Sequence, residues 1–194
     1  MSVADRIRIR EIRVLSDNWY VLRKATFDWR RGDGVWQTLS REAYDRGNGV
    51  ALVPYNRVAR TVILVRQFRY PAYANGHDDL MIEAPAGLLD DAEPEARVRA
   101  EVEEETGYRL DRVEKVAECF MSPGAVTEKL WLYVAEYEPG MRVGAGGGVK
   151  GEGEDIDVLE LPFAMAMAMV RRGEIVDAKT ILILQHLALT VFAG

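Results

Sequence analysis

The chain has 194 residues, 48% of them hydrophobic, with ordinary glycine and proline content, enough to bury a full core as one domain or one domain with a small accessory. A net charge of −6 argues against a nucleic-acid duplex as the main partner, and a single cysteine, Cys119, excludes an internal disulfide and a multi-cysteine zinc site. The start, Met1-Ser2-Val3-Ala4-Asp5-Arg6, is no signal peptide and no apolar run spans a bilayer, so a soluble cytoplasmic protein without membrane or nucleic-acid partners is expected.

Residues 19–30, rich in aromatic and β-branched side chains, predict a strand. Arg31-Gly32-Asp33-Gly34 predicts a turn, and 35–44 a strand pairing back as a hairpin. Arg46-Gly47-Asn48-Gly49 then punctuates the chain. It sets a boundary between a β-rich N-terminal unit, residues 1–48, and a main domain, residues 49–194. A few strands of that size rarely stand alone, so the unit is expected to pack on the main domain or on a second subunit. The apolar runs 50–55 and 61–68 predict buried strands of a central sheet. Residues 91–107 predict a helix, with Pro94 at its first position, acidic residues in its first turn and Gly107 as its C-terminal cap. Residues 113–120 and 129–138 predict two more strands around a loop holding Ser122-Pro123-Gly124. A glycine-rich acidic loop covers 140–155, a strand 156–161, and two helices 163–172 and Asp177 to about residue 192. Strands interleaved with a few helices indicate an α/β or α+β sandwich around a mixed sheet.

The helix at 91–107 carries Glu101, Glu104 and Glu105 at i, i+3 and i+4, which puts three carboxylates on one face. At ~5 Å and an effective dielectric of ~20, each pair repels by roughly 3 kcal/mol. No lysine interleaves to relieve it. Such a cluster is either a solvated acidic face or a site for a hard dication, Mg²⁺ or Mn²⁺, which takes oxygen ligands and completes its shell with water and phosphate.

The flanking residues decide between these. Gly87, Glu93, Glu101, Val102, Glu104, Glu105, Gly107 and Tyr108 fall in a pattern that resembles the Nudix box. Two departures stand out: the interval after Glu93 is one residue short, and Ala100 stands where the box has the arginine that positions a catalytic carboxylate. Arg97, one turn before Glu101 on the same face, is the candidate to compensate. The wider chain resembles the GDP-mannose pyrophosphatase branch of the Nudix hydrolases, relatives of the ADP-ribose pyrophosphatases. The segments that carry this include Leu15-Ser-Asp-Asn18, Tyr44-Asp-Arg-Gly-Asn-Gly49, Val65-Arg-Gln-Phe-Arg69, Ala86-Gly-Leu-Leu-Asp90, Met121-Ser-Pro-Gly124, Ala145-Gly-Gly-Gly-Val149 and Glu154-Asp-Ile156. It implies a Nudix α/β/α sandwich with an N-terminal β-rich dimerisation unit, and a homodimer whose N-terminal strands reach the partner's site.

The resemblance further implies Mg²⁺, with Mn²⁺ as the alternative, bound by the Ala86 carbonyl, Glu101, Glu105 and, from across the cleft, Glu154. Glu104 completes the acidic motif as a second-metal ligand or through a water. Arg69 grips the substrate phosphates beside Ala86, Gly87 and Leu88, while Glu128 and Lys179 contact substrate. Trp19 occupies the place of an aromatic suited to stacking on a purine, and Arg41 and Glu42 belong to a triplet whose first member, Ser40, departs from the basic residue of relatives. Glu152, in a loop longer than its counterpart, is the candidate base that activates water. The same loop's Gly146-x-Gly148-x-x-Gly151 is no dinucleotide fingerprint, because no helix follows it directly. The implied reaction is hydrolysis of GDP-mannose to GMP and mannose 1-phosphate. The alternatives are another nucleotide sugar, ADP-ribose foremost, or a catalytically silent Nudix-like domain that senses a nucleotide.

Overall fold

The protein is described by a computed structural model covering residues 2–90, 92–149, 151 and 153–193. The chain separates into two compact units, one of Met1–Asn48 with Phe120–Lys129, the other of Gly49–Cys119 with Leu130–Gly194. The segment Phe120–Lys129 therefore groups with the N-terminal strands, and a single cut after residue 48 misses it.

In the first unit, Ile7–Asp17 (β1), Val21–Arg30 (β2) and Trp36–Asp45 (β3) form an antiparallel sheet in the order β1-β2-β3. The hairpin between β2 and β3 is closed by Arg31 N–H on the Val35 carbonyl at 2.9 Å and Gly34 N–H on the Arg31 carbonyl at 3.0 Å. The sequence pattern predicts no strand before residue 19, yet β1 is the longest strand of this sheet at 11 residues. Two register shifts, between Ile9 and Glu11 and between Val14 and Ser16, interrupt its alternation. A bulge shifts the phase of a period-2 pattern, which hides a strand from periodicity. The segment 120–129 joins this unit through a bridge between Tyr44 and Val126, and Lys129 N–H meets Asn48 Oδ1 at 3.0 Å.

The second unit is built on a mixed sheet. Gly49–Asn56 (β4), Thr61–Gln67 (β5), Met81–Glu83 (β6), Ala86–Leu88 (β7), Glu114–Phe120 (β8), Lys129–Glu136 (β9) and Asp157–Pro162 (β10) run in the order β10-β5-β4-β9-β8, with β6 on β5 and β7 on β4. β4 pairs parallel with β9 and antiparallel with β5 and β7. All eight residues of β4 are buried, as a strand covered on both faces requires. The helices are Tyr70–Ala74 (α1), Pro94–Thr106 (α2), Phe163–Arg172 (α3) and Ala178–Leu189 (α4). Val50 and Leu52 of β4 share a core with Val98 and Val102 of α2. The intervening residues face the other way, where Tyr55 meets Phe192 edge-on just beyond α4. Helices thus cover both faces of the sheet, an α/β arrangement of three layers. Among the described residues, no helix is long and apolar enough to cross a membrane.

α2 has the ends its sequence dictates. Pro94 sits in the first turn, where its missing N–H costs nothing, and Gly107 takes the left-handed C-cap at φ 78°. The expected start at residue 91 is too early, because Glu93 is extended and serves as N-cap. α4 begins at its Asp177 cap but ends at Leu189, short of residue 192. The three-residue β6 and β7 and the five-residue α1 were not expected, being too short for any periodicity to register.

Candidate active site

Where α2 meets β7, each residue of β7 engages the helix. Ala86 N–H donates to Glu105 Oε2 at 3.2 Å, and the Leu88 carbonyl accepts from Arg97 Nε at 3.0 Å. A Cβ on Gly87 would lie 1.8 Å from Glu101 Oε1, so only glycine lets that carboxylate lie against the strand. Arg97 closes the arrangement with an ion pair to Glu101, four residues along the helix. Arg97 therefore reaches both β7 and Glu101, the place its position one turn earlier suggested.

The acidic face divides. Glu101 is 5% and Glu105 2% exposed, whereas Glu104 is open to solvent. The expected single face of three carboxylates is thus a buried pair with one solvated neighbour, because i+3 and i+4 diverge to either side of residue i. Burial first, then the charges of Glu101, Glu83 and Glu154, pushes the Glu105 carboxyl up to about 9, against the hydrogen bond from Ala86.

The glycine segment before Glu154 docks on the end of the same helix. Gly147 N–H donates to the Glu105 carbonyl at 2.8 Å and Gly148 N–H to the Glu104 carbonyl at 3.2 Å, satisfying acceptors that a helix end leaves open. Gly146, at φ 72°, lies so close that a Cβ would be 2.5 Å from the Glu105 carbonyl oxygen. Glu154, half-buried, accepts from Val149 N–H at 2.8 Å. Glu152 lies outside the described residues.

The donor set fits a hard dication. Its side chains are carboxylates, two of them enclosed, and their mutual repulsion is the condition that a bound cation relieves. Among the described residues no three acidic side chains are gathered into a ready-made cage. Glu101 is turned toward Arg97 and Glu105 toward Ala86.

A second charged cluster lies in the same unit. Glu83, at the end of β6, accepts from Arg69 Nε on Oε1 at 2.7 Å and from Lys179 Nζ on Oε2 at 2.6 Å. Lys179 also donates to Asp177 Oδ1 at 3.0 Å. Asp177 caps α4 by accepting from Thr180 N–H at 3.0 Å, and Thr180 Oγ1 in turn accepts from Ala84 N–H at 2.6 Å. Burial works against the charge of Arg69, but Glu83, Glu105 and Asp177 outweigh it and raise its pKa.

In the N-terminal unit, Trp19 is 87% exposed and stands edge-on to Tyr20, which stands edge-on to Tyr44. Arg46 lies over the Tyr20 ring and pairs with Glu128 at 3.0 Å. Arg41 and Glu42 are exposed; as successive strand residues they leave opposite faces of the sheet.

Residues 6–44 match the model of the GDP-mannose pyrophosphatase NudK N-terminal domain. The chain is 53% identical over 178 residues to the GDP-mannose pyrophosphatase of Cronobacter sakazakii, covering 91% of this chain and 92% of that one. It is 51% identical over 181 residues to that of Pectobacterium atrosepticum, covering 93% of each. To that of Salmonella arizonae it is 47% identical over 193 residues, 99% of this chain and all of the relative. The chain belongs to the GDP-mannose pyrophosphatase family of Nudix hydrolases.

Neither Glu83 nor the tie between Asp177 and Lys179 is singled out by the sequence pattern, which marks Asp177 as a helix cap. One signal was available: Leu80-Met-Ile-Glu83-Ala-Pro-Ala86 is apolar except for its glutamate. A lone carboxylate in such a run must find partners when it is buried.

Proposed function

We propose that this chain hydrolyses the pyrophosphate bond of GDP-mannose, adding one water and releasing GMP and mannose 1-phosphate. The observation that carries the reading is the near-full-length likeness to proteins of that name, across both units. The buried pair of Glu101 and Glu105 under Ala86 and Gly87 supports it from the chemical side.

In this reading Glu101, Glu105, Glu154 and the Ala86 carbonyl would hold Mg²⁺, or Mn²⁺ in its place, with Glu104 at the solvent edge. When bound, the cation neutralises phosphoryl oxygens and acidifies water. Arg69, whose Nε is engaged by Glu83, offers its terminal nitrogens to the phosphates. Lys179, held on the same carboxylate, contacts the substrate as a second cation. Trp19 offers an aromatic face to the purine. Arg41, Glu42 and Glu128 supply polar contacts, and Glu152 takes the proton of the attacking water. The working form is a cytoplasmic homodimer; exposed Ile9, Ile12 and Val14 on β1 support docking of a second copy.

Purified protein with Mg²⁺ is to be offered GDP-mannose, ADP-ribose and other nucleotide sugars, and the products resolved. GMP and mannose 1-phosphate as the fastest-formed products are expected. Faster cleavage of ADP-ribose would move the chain to another substrate, and no cleavage with either Mg²⁺ or Mn²⁺ would make it a silent nucleotide-sensing domain.

A further inference from the structure

Glu83 takes no direct part in the chemistry above, yet it is only 3% exposed. Enclosing a carboxylate is unfavourable, and pairing it restores stability no better than an apolar side chain would. Its place in the fold therefore calls for a reason beyond stability. The antiparallel pairing of β5 with β6 sets Glu83 opposite Val65. The chain leaving β5 thus brings Arg69 back to Oε1, while the first turn of α4 brings Lys179 to Oε2. Three segments converge on one carboxylate: the exit of β5, the end of β6 and the start of α4.

The two cations are not equivalent. The Lys179 side chain is 13% exposed and divided between Glu83 and Asp177, so it faces inward. The Arg69 side chain is 43% exposed, and among the described residues it is held through Nε, on Glu83. A guanidinium fixed at Nε is planar and rigid, and its two terminal nitrogens keep the fork that suits a phosphate. We propose that Glu83 is a positioning residue for this reaction: through Oε1 it fixes the Arg69 fork for the substrate's pyrophosphate, and through Oε2 it holds the Lys179 ammonium in place. Without Lys179, the two carboxylates Glu83 and Asp177 would face Arg69 as their one cation and leave net negative charge; with Lys179 the four charges cancel.

This inference rests on the proposed function, and the two fail separately in the following experiment. Affinity for GDP is measured by calorimetry alongside kcat and KM for GDP-mannose, in wild type, Glu83→Gln, Arg69→Lys and the double variant, with thermal melts as the fold control. Glu83→Gln is expected to raise KM and the Kd for GDP more than it lowers kcat, with kcat/KM falling roughly 10- to 100-fold. In the Arg69→Lys background the same change is expected to add nothing, since the fork it positions is gone. Should Glu83→Gln not fold, Glu83→Asp, which keeps the charge and shortens the reach, carries the same comparison. Additive effects of the two substitutions, or GDP affinity unchanged in the folded Glu83 variant, overturn the inference. Wild type that binds GDP but leaves GDP-mannose intact overturns the substrate reading alone. Wild type that binds neither nucleotide overturns both.

Discussion

Glu105 and Glu83 are both carboxylates enclosed in the same unit, at 2% and 3% exposure, and their surroundings treat them in opposite ways. Burial alone raises the pKa of each. At Glu83, Lys179 and Arg69 more than reverse that, and the group is held below its ordinary value. At Glu105 the neighbours Glu101, Glu83 and Glu154 add to burial, and the value climbs to about 9. One cluster is neutralised from within by the chain's own cations. The other sets like-charged carboxylates side by side, with Arg97 paired to Glu101 and the Glu105 carboxyl pushed toward its neutral form. The difference separates a carboxylate held ionised by the chain's own cations from one that its neighbours drive toward the protonated form.

The sharpest way to break this comparison is to remove the charge of Glu105 while keeping its shape. Glu105→Gln is expected to lower Mg²⁺-dependent turnover of GDP-mannose by roughly 100- to 1,000-fold, the scale of losing a group that stabilises charge in the transition state. The melting temperature is not expected to fall, because the amide removes a buried carboxylate with like-charged neighbours. Near-normal turnover in the folded variant would show that the excess negative charge on α2 has no part in the chemistry.

What the sequence made legible follows the same division. Like charges crowd together on one helix at fixed spacing, so Glu101 and Glu105 announce themselves over five residues. Caps and breakers are also local, and Pro94, Gly107 and Asp177 marked their helices' ends. The Glu83 cluster assembles Arg69 and Lys179 from positions 14 and 96 residues away, and no spacing rule links them. Pairing across a sheet and onto a helix start is a property of topology, visible only once β5, β6 and α4 are placed. The split of Glu104 from its two neighbours was hidden for a related reason: helical spacing gives the direction of a side chain, but the depth at which the helix lies is set by what packs on it.

The Arg97 contact tests how far the two clusters differ, since it is a cation that the acidic helix supplies to Glu101. Arg97→Ala is expected to weaken Mg²⁺ binding about 10-fold by calorimetry, the cost of losing a partner that orients a metal-ligating carboxylate. Placing arginine at the neighbouring position, Ala100→Arg, in that background is expected to recover part of the loss, because it puts a guanidinium directly before Glu101 on the chain. Unchanged affinity in Arg97→Ala would mean that Gly87 and the helix hold Glu101 without help.

The gentlest effect is on stability against pH in metal-free protein. Glu105 titrates at 4.5 ordinarily and at about 9 in the folded chain. Below 4.5 it is protonated in both states and carries no penalty. Between the two values the unfolded chain is ionised while the folded chain holds the proton, so the unfolded state binds fewer protons and stability falls as pH rises. Above about 9 the loss is complete and the slope from this group vanishes. Urea midpoints of the metal-free wild type are therefore expected to fall between pH of about 5.5 and about 8.5 more steeply than those of Glu105→Gln. At the upper pH, Mg²⁺ is expected to raise the wild-type midpoint and to leave the variant's nearly unmoved, because only a ligand that prefers the folded state stabilises it. The Glu83 cluster predicts the reverse sign: its lowered carboxyl contributes stability that is lost on acidification below its ordinary value. Parallel profiles for wild type and Glu105→Gln would show that the like-charge strain at α2 is relaxed without a cation, and the contrast between the two carboxylates would fall with it.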